Sequence, residues 1–112
     1  MKTVFSGIQP SGLVHLGNLL GAINNWVKLS EENSKNYFCI VDLHSLTGLP
    51  NKDDLNKSIG DTLKVLIASG INLDNSVIYT QSKLQEHAYL SWILSNFCQV
   101  GELQRMTQFK EK

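Results

Sequence analysis

A histidine, an asparagine and several glycines stand within one short stretch near the N-terminus, Ser6-Gly7-Ile8-Gln9-Pro10-Ser11-Gly12-Leu13-Val14-His15-Leu16-Gly17-Asn18-Leu19-Leu20-Gly21-Ala22. Imidazole and amide side chains beside backbone freed by glycine suit the binding of an anion. The local pattern supplies the rest of such a site. A β-type run, Thr3 to Ser6, stops at a glycine, a loop carrying Pro10 and Ser11-Gly12 follows, and helical spacing then begins. Leu16, Leu19, Leu20, Ile23 and Val27 recur on one helical face. Strand, glycine-rich turn and helix start in that order aim unpaired N–H groups and the positive helix end at whatever lies above the strand.

Two well-known phosphate loops fail here. Gly12 and Gly17 have the glycine spacing of a P-loop, but Asn18 and Leu19 stand where Lys and Ser/Thr are required. Gly7, Gly12, Gly17 and Gly21 are too widely spaced for the dinucleotide pattern. What remains is a loop bearing His15 just before a helix start, with Gly17 and Asn18 in its first turn.

The elements that must position this loop alternate as strand, helix, strand, helix, strand, helix. Helix one is expected from about Leu16 to Glu32. The continuous apolar run Tyr37 to Val41 suits a strand buried on both faces, and it ends at Asp42-Leu43-His44-Ser45. Asn51 is expected to cap helix two, with Asp53 and Asp54 favoured by the helix dipole in its first turn. Its buried stripe reads Leu55, Ile59, Leu63, Leu66 and Ile67, and Gly70 is placed to terminate it. Strand three is Ser76 to Thr80, and Ser82 with Gln85 forms a capping-box pattern for helix three, roughly Leu84 to Cys98. Such alternation predicts an α/β fold of three parallel strands in order 3-2-1, with helices on both faces and strand one at an edge. Ligands of such sheets bind beyond the carboxyl ends of the strands. That places Gly7 to Gln9, Asp42 to His44, and Gln81-Ser82 on one rim.

Composition narrows the class. A chain of 112 residues is one domain or part of one. Ten basic against ten acidic residues leave no basic footprint for a nucleic acid beyond a small local patch. Cys39 and Cys98 lack metal-ligand spacing and read as buried, reduced thiols. No signal-peptide pattern is visible, and no apolar run approaches the ~20 residues of a membrane span. A cytoplasmic location is expected.

His15-Leu16-Gly17-Asn18 resembles the HIGH signature of class I aminoacyl-tRNA synthetases. The longer string FSGIQPSG…HLGNLLGA, and the tail GELQRMTQFK from Gly101 to Lys110, resemble the tryptophanyl-tRNA synthetases. The resemblance runs from Met1 to Lys112. It implies the first half of a Rossmann-type (HUP-like) catalytic domain, with residues 101–112 starting a connecting insertion. No KMSKS string occurs, so the KMSKS half and a C-terminal domain are expected to be absent from this chain.

The activity implied is ATP-dependent activation of tryptophan and its transfer to tRNA(Trp), by a homodimer when full length, with no role for a membrane. ATP would be a substrate, accompanied by Mg²⁺, and no protein-bound metal is expected. By the motif match, His15 and Asn18 are assigned catalytic roles at the ATP phosphates. Gln9, Pro10, Ser11, Gly17, Gln108, Lys110 and Lys112 join them in binding ATP. Phe5, Gly7, Gln9 and His44 are candidates for the tryptophan side, since a flat indole favours aromatic and glycine walls.

Each assignment has a plainer rival: a surface histidine at position 15, a core aromatic at Phe5, a solvated charged tail at Gln108 to Lys112. Tyr37, Phe38, Trp26 and Trp92 read as core or as parts of interfaces with residues beyond this chain. For function the rivals are a tyrosyl-tRNA synthetase fragment and a non-catalytic ATP-binding module. The fragment alone is expected to be inactive.

Overall fold

Seven residues at the start of the chain, Lys2–Ile8, form the first strand (β1) of a sheet of three parallel strands in the order β1-β2-β3. In this computed structural model, residues 2–10, 19–32 and 34–110 are described. A π-type turn, Leu19–Ile23, leads into helix α1, Asn24–Glu31. Strand β2 is Ser34–Ile40, and it is followed by a short helix, α2, Asp42–Ser45, and a 3₁₀ turn, Leu46–Gly48. Helix α3 is Lys52–Ala68, β3 is Ser76–Thr80, and a 3₁₀ turn, Gln81–Lys83, precedes α4, Gln85–Ser95. Two short helices end the described chain, α5, Val100–Leu103, and α6, Thr107–Lys110.

The expected sheet order is present, and the register shows how the two faces divide. Ser6 pairs with Phe38 and Ile8 with Ile40, and Phe38 pairs in turn with Ile78. These even-numbered residues share one face. There Ile8, Phe38 and Ile40 pack with Ile23 and Trp26 of the first crossover, and with Leu66 and Ile71 of the second. The Trp26 and Phe38 rings stack at 4.4 Å, 5° from parallel, and the Trp26 indole donates to Ser6 Oγ at 3.1 Å. The odd-numbered face is more open, with Phe5 62% and Val77 51% exposed. Helix α4 meets that face where the Tyr79 and His87 rings stack.

Polar residues close the lower edge. Ser34 and Asn36 are buried at the start of β2, an extension that an apolar run alone did not mark. Asn36 Nδ2 donates to Leu29 O and to Ser76 Oγ, its Oδ1 accepts from Ser34 Oγ, and Asn72 N donates to Ser30 Oγ. Asn75 Nδ2 donates to Ser30 O. The amino ends of β2 and β3 are thereby tied to the end of α1.

Several sequence expectations meet their physical outcome here. Asn51 caps α3 by accepting from Asp53 N at 2.8 Å, and Gly70 takes φ +90° just beyond the helix. The α3 stripe is narrower than expected. Leu66 is buried and Thr62 beside it, but Leu63 and Ile67 are exposed, because they lie on the flanks of the face turned to the sheet. The Ser82–Gln85 capping box is not made: α4 follows Leu84, and no side chain caps it. Cys39 is buried as expected, whereas Cys98 is exposed, since it follows a helix that buries none of its residues. Trp92 is 70% exposed and so is not core. Among the described residues no helix is long and apolar enough to cross a membrane.

Candidate active site at the carboxyl ends of the strands

All three strands end at the same rim, and three contacts stitch their ends together. Val41 N donates to Ile8 O at 2.9 Å, joining the exits of β1 and β2. The Asp42 carboxylate, 6% exposed, accepts from Ser82 N at 2.9 Å, joining the exits of β2 and β3. His44 Nδ1 lies 3.2 Å from Gln81 Oε1 across the same gap. Asp42 thus caps a turn, but one that lies 40 residues further along the chain. That long-range partner also explains the missing capping box, because it organises Gln81–Lys83 as a 3₁₀ turn before α4 begins.

Gly7 has a second reason to be glycine. A Cβ there would stand 2.9 Å from Val41 Cγ1, too close unless that side chain moved. The β1 exit can therefore approach the β2 exit closely, and Gly7 presents backbone on the open face. Phe5, two residues earlier on that face, is exposed and so is not a core aromatic. Gln9 is exposed and Pro10 buried where the chain leaves β1.

Between α2 and α4 lies a cleft of about 570 Å³, bordered by Leu43, His44, Thr47, Gln81, His87 and Trp92. Its size is in the range of small-ligand sites, and it offers two imidazoles, an amide and an indole surface. A larger groove of about 630 Å³ runs along the other flank of α4, past Leu84, Leu90, Leu94 and Cys98. His87 borders both. The groove exposes mostly apolar surface, with four leucines among its walls, and lies off the strand ends, so the rim cleft is the better chemical candidate.

His87 was not foreseen from sequence, and neither was its partner. Tyr79 Oη and His87 Nε2 are 3.0 Å apart, and Tyr79 pairs across the sheet with Cys39. Burial pushes the Tyr79 phenol up to about 12, with further contributions from its hydrogen bond with Cys39 and the charge of that thiolate. Burial likewise raises the Cys39 thiol, partly offset by the bond from Tyr79. At neutral pH both are therefore protonated, and this pair is not a nucleophile. The available signal was that Tyr79 alternates onto the open face while His87 falls in the first turn of the next helix.

The remaining candidates divide simply. Phe5, Gly7 and Gln9 lie on β1 or its exit, and His44 on α2. Gln108 and Lys110 belong to α6 by backbone. Ser11, His15, Gly17, Asn18 and Lys112 lie outside the described residues.

Comparison with known proteins agrees with this architecture. The family described as tRNA synthetases class I (W and Y) matches residues 1–112. The tryptophan–tRNA ligase of Oceanobacillus iheyensis is 50% identical over 100% of this chain and 34% of its own length. That of Rickettsia typhi is 48% identical over 99% of this chain and 33% of its own. Among solved structures, the tryptophanyl-tRNA synthetase of Mycoplasma pneumoniae has a TM-score of 0.89 at 36% identity, covering 99% of this chain and 33% of that one. The synthetase of Campylobacter jejuni complexed with ADP and tryptophan has a TM-score of 0.87 at 32% identity, over 99% of this chain and 34% of that one. The chain thus spans about a third of the length of these relatives. With the family match running from residue 1 to residue 112 and the fold shared with solved synthetases, the chain belongs to the class I tRNA synthetases (W and Y).

Proposed function

We propose that the protein is a tryptophan–tRNA ligase, in which residues 1–112 form the N-terminal portion of a Rossmann-type catalytic domain and residues 101–112 begin a connecting insertion. In the first step a carboxylate oxygen of tryptophan attacks the α-phosphorus of ATP. The bond from that phosphorus to the bridging oxygen breaks, and pyrophosphate leaves. In the second step a terminal ribose hydroxyl of tRNA(Trp) attacks the activated carbonyl and AMP leaves. Such chemistry asks for alignment of two anions and stabilisation of departing charge. The observation that carries this reading is the likeness of the whole chain, at a TM-score of 0.87, to a synthetase complexed with ADP and tryptophan.

The proposed division of labour follows the rim. Phe5, Gly7, Gln9 and His44 take the amino acid. Gln9, Pro10, Ser11, His15, Gly17 and Asn18 take ATP, with His15 and Asn18 at its phosphates. Gln108, Lys110 and Lys112 reach the same phosphates from the far end of the chain. Mg²⁺ arrives on the ATP as part of the substrate. Among the described residues no three His, Cys, Asp or Glu side chains gather to hold a metal. The full-length protein is proposed to work as a cytoplasmic homodimer, with much of its tRNA contact outside these 112 residues, whose net charge is zero.

Tryptophan-dependent exchange of labelled pyrophosphate into ATP tests the reading. The full-length protein should exchange with tryptophan and not with tyrosine, and His15→Ala should slow it on the order of 10²-fold or more, as for loss of one preorganised charge-stabilising group. Residues 1–112 alone should exchange far more slowly, lacking the groups that oppose the rim. Preference for tyrosine would move the protein to the tyrosyl branch. Thermal stabilisation by ATP that His15→Ala removes, without activation of any amino acid, would leave only a binding module.

A further inference from the structure

Gln81 is held in place by a contact that it does not itself make. The buried Asp42 carboxylate grips Ser82 N at 2.9 Å and so pins the 3₁₀ turn Gln81–Lys83 to the exit of β2. From that turn Gln81 Oε1 reaches to 3.2 Å from His44 Nδ1. An amide carbonyl oxygen can only accept, so this contact is a hydrogen bond when His44 Nδ1 carries the proton. The neutral ring then keeps an unprotonated Nε2, able to accept and unable to donate. Both residues border the rim cleft.

We propose that Gln81 is a positioning residue that selects the Nδ1–H tautomer of His44, so that the cleft offers Nε2 as an acceptor to an N–H donor of the amino-acid substrate. This rests on the reading that the cleft takes an amino acid. The donor is the indole N–H or the α-ammonium, which share this chemistry. The Asp42 carboxylate on Ser82 N supplies the frame, Gln81 sets the proton's position, and of these residues His44 makes the contact with the ligand. Without Gln81 the imidazole would be free to turn or to move its proton to Nε2, which would then face an N–H donor with a donor.

Two measurements on the full-length protein decide the matter. Nitrogen NMR of labelled histidine at alkaline pH, where imidazoles are neutral, should show His44 as Nδ1–H, with Nε2–H appearing in Gln81→Met. In steady-state activation, Gln81→Met should raise the tryptophan KM about tenfold, as expected for one hydrogen bond to a small ligand, with kcat within about twofold. Gln81→Glu, which keeps an acceptor oxygen in place, should bring KM back to within about threefold of the parent. Repeating the comparison with a tryptophan analogue carrying sulfur in place of the indole N–H assigns the donor: the Gln81→Met penalty vanishes for the indole and persists for the ammonium. An Nε2–H tautomer in the parent overturns the proposal. So does an unchanged KM in Gln81→Met, or an equal fall of kcat and stability in both variants. If no amino acid is activated at all, the functional reading fails, while the tautomer measurement still judges Gln81.

Discussion

The two ends of the sheet are both lined by polar residues and behave differently. At the amino-end rim, Ser30, Ser34, Asn36, Asn75 and Ser76 bond mainly to one another and to the main chain of α1, and Asn36 is fully buried. At the carboxyl-end rim, Asp42 is buried and committed to Ser82, but Gln9 and His44 are exposed, and Gln81 meets His44 across a cleft. Polar groups that satisfy one another deep in the protein hold strands together and have nothing left for a ligand. Polar groups that are fixed on one side and open on the other can bind. Polar residues therefore do structural work at one end of β2 and offer chemistry at the other.

The contrast can be broken by substitution. The largest effect is expected for Asn36→Ala, which removes a fully buried amide and its three hydrogen bonds to Ser34, Ser76 and Leu29 O; urea unfolding should report a loss of ~3 kcal/mol. Tryptophan KM should stay unchanged in the molecules that remain folded. Asp42→Ala removes a charged acceptor at the opposite rim and should cost about 2 kcal/mol. Unlike Asn36→Ala, it should also raise tryptophan KM severalfold, because the turn carrying Gln81 loosens. Asn51→Ala, away from both rims, should cost about 1 kcal/mol as a lost helix cap and leave KM alone. Equal effects of all three on KM would dissolve the distinction between the rims.

A smaller, pH-dependent effect belongs to the open face. The Tyr79 phenol, pushed up to about 12, stays protonated in the folded chain after it would ionise near 10 in the unfolded one. The unfolded state therefore binds fewer protons between those values, and Tyr79's contribution to stability, present below 10, is lost as pH rises towards 12. Spectrophotometric titration should find one tyrosine ionising later than the others. Tyr79→Phe should remove that late step.

What the sequence revealed depends on the range of the force involved. Strand β3 was legible to the residue, Ser76–Thr80, and so were the Asn51 cap and the Gly70 terminator, because each is decided by neighbours. The convergence of the Gln9, His44 and Gln81 segments followed from topology. The lower ends of β2 were not legible, since Ser34 and Asn36 enter the sheet only because α1 and β3 supply partners. Helix α2 has four residues, too few for any periodicity to show. The Ser82–Gln85 pattern misled for a reason no local reading could see, a carboxylate 40 positions earlier. Within the site, the exit of β3 was readable, but β1 runs through the glycine expected to stop it and ends at Ile8, and the pairings across the exits, His44 with Gln81 and Tyr79 with His87, needed coordinates.

We propose that the carboxyl-end rim, and not the amino-end rim, receives the substrates. Hydrogen exchange of the full-length protein, read by mass spectrometry with and without tryptophan and ATP, tests it most directly. Slowed exchange is expected in segments 7–10, 41–47 and 80–84, with segments 29–36 and 71–76 unchanged. Protection confined to the amino-end segments, or absent from all three carboxyl-end segments at saturating ligand, would contradict it.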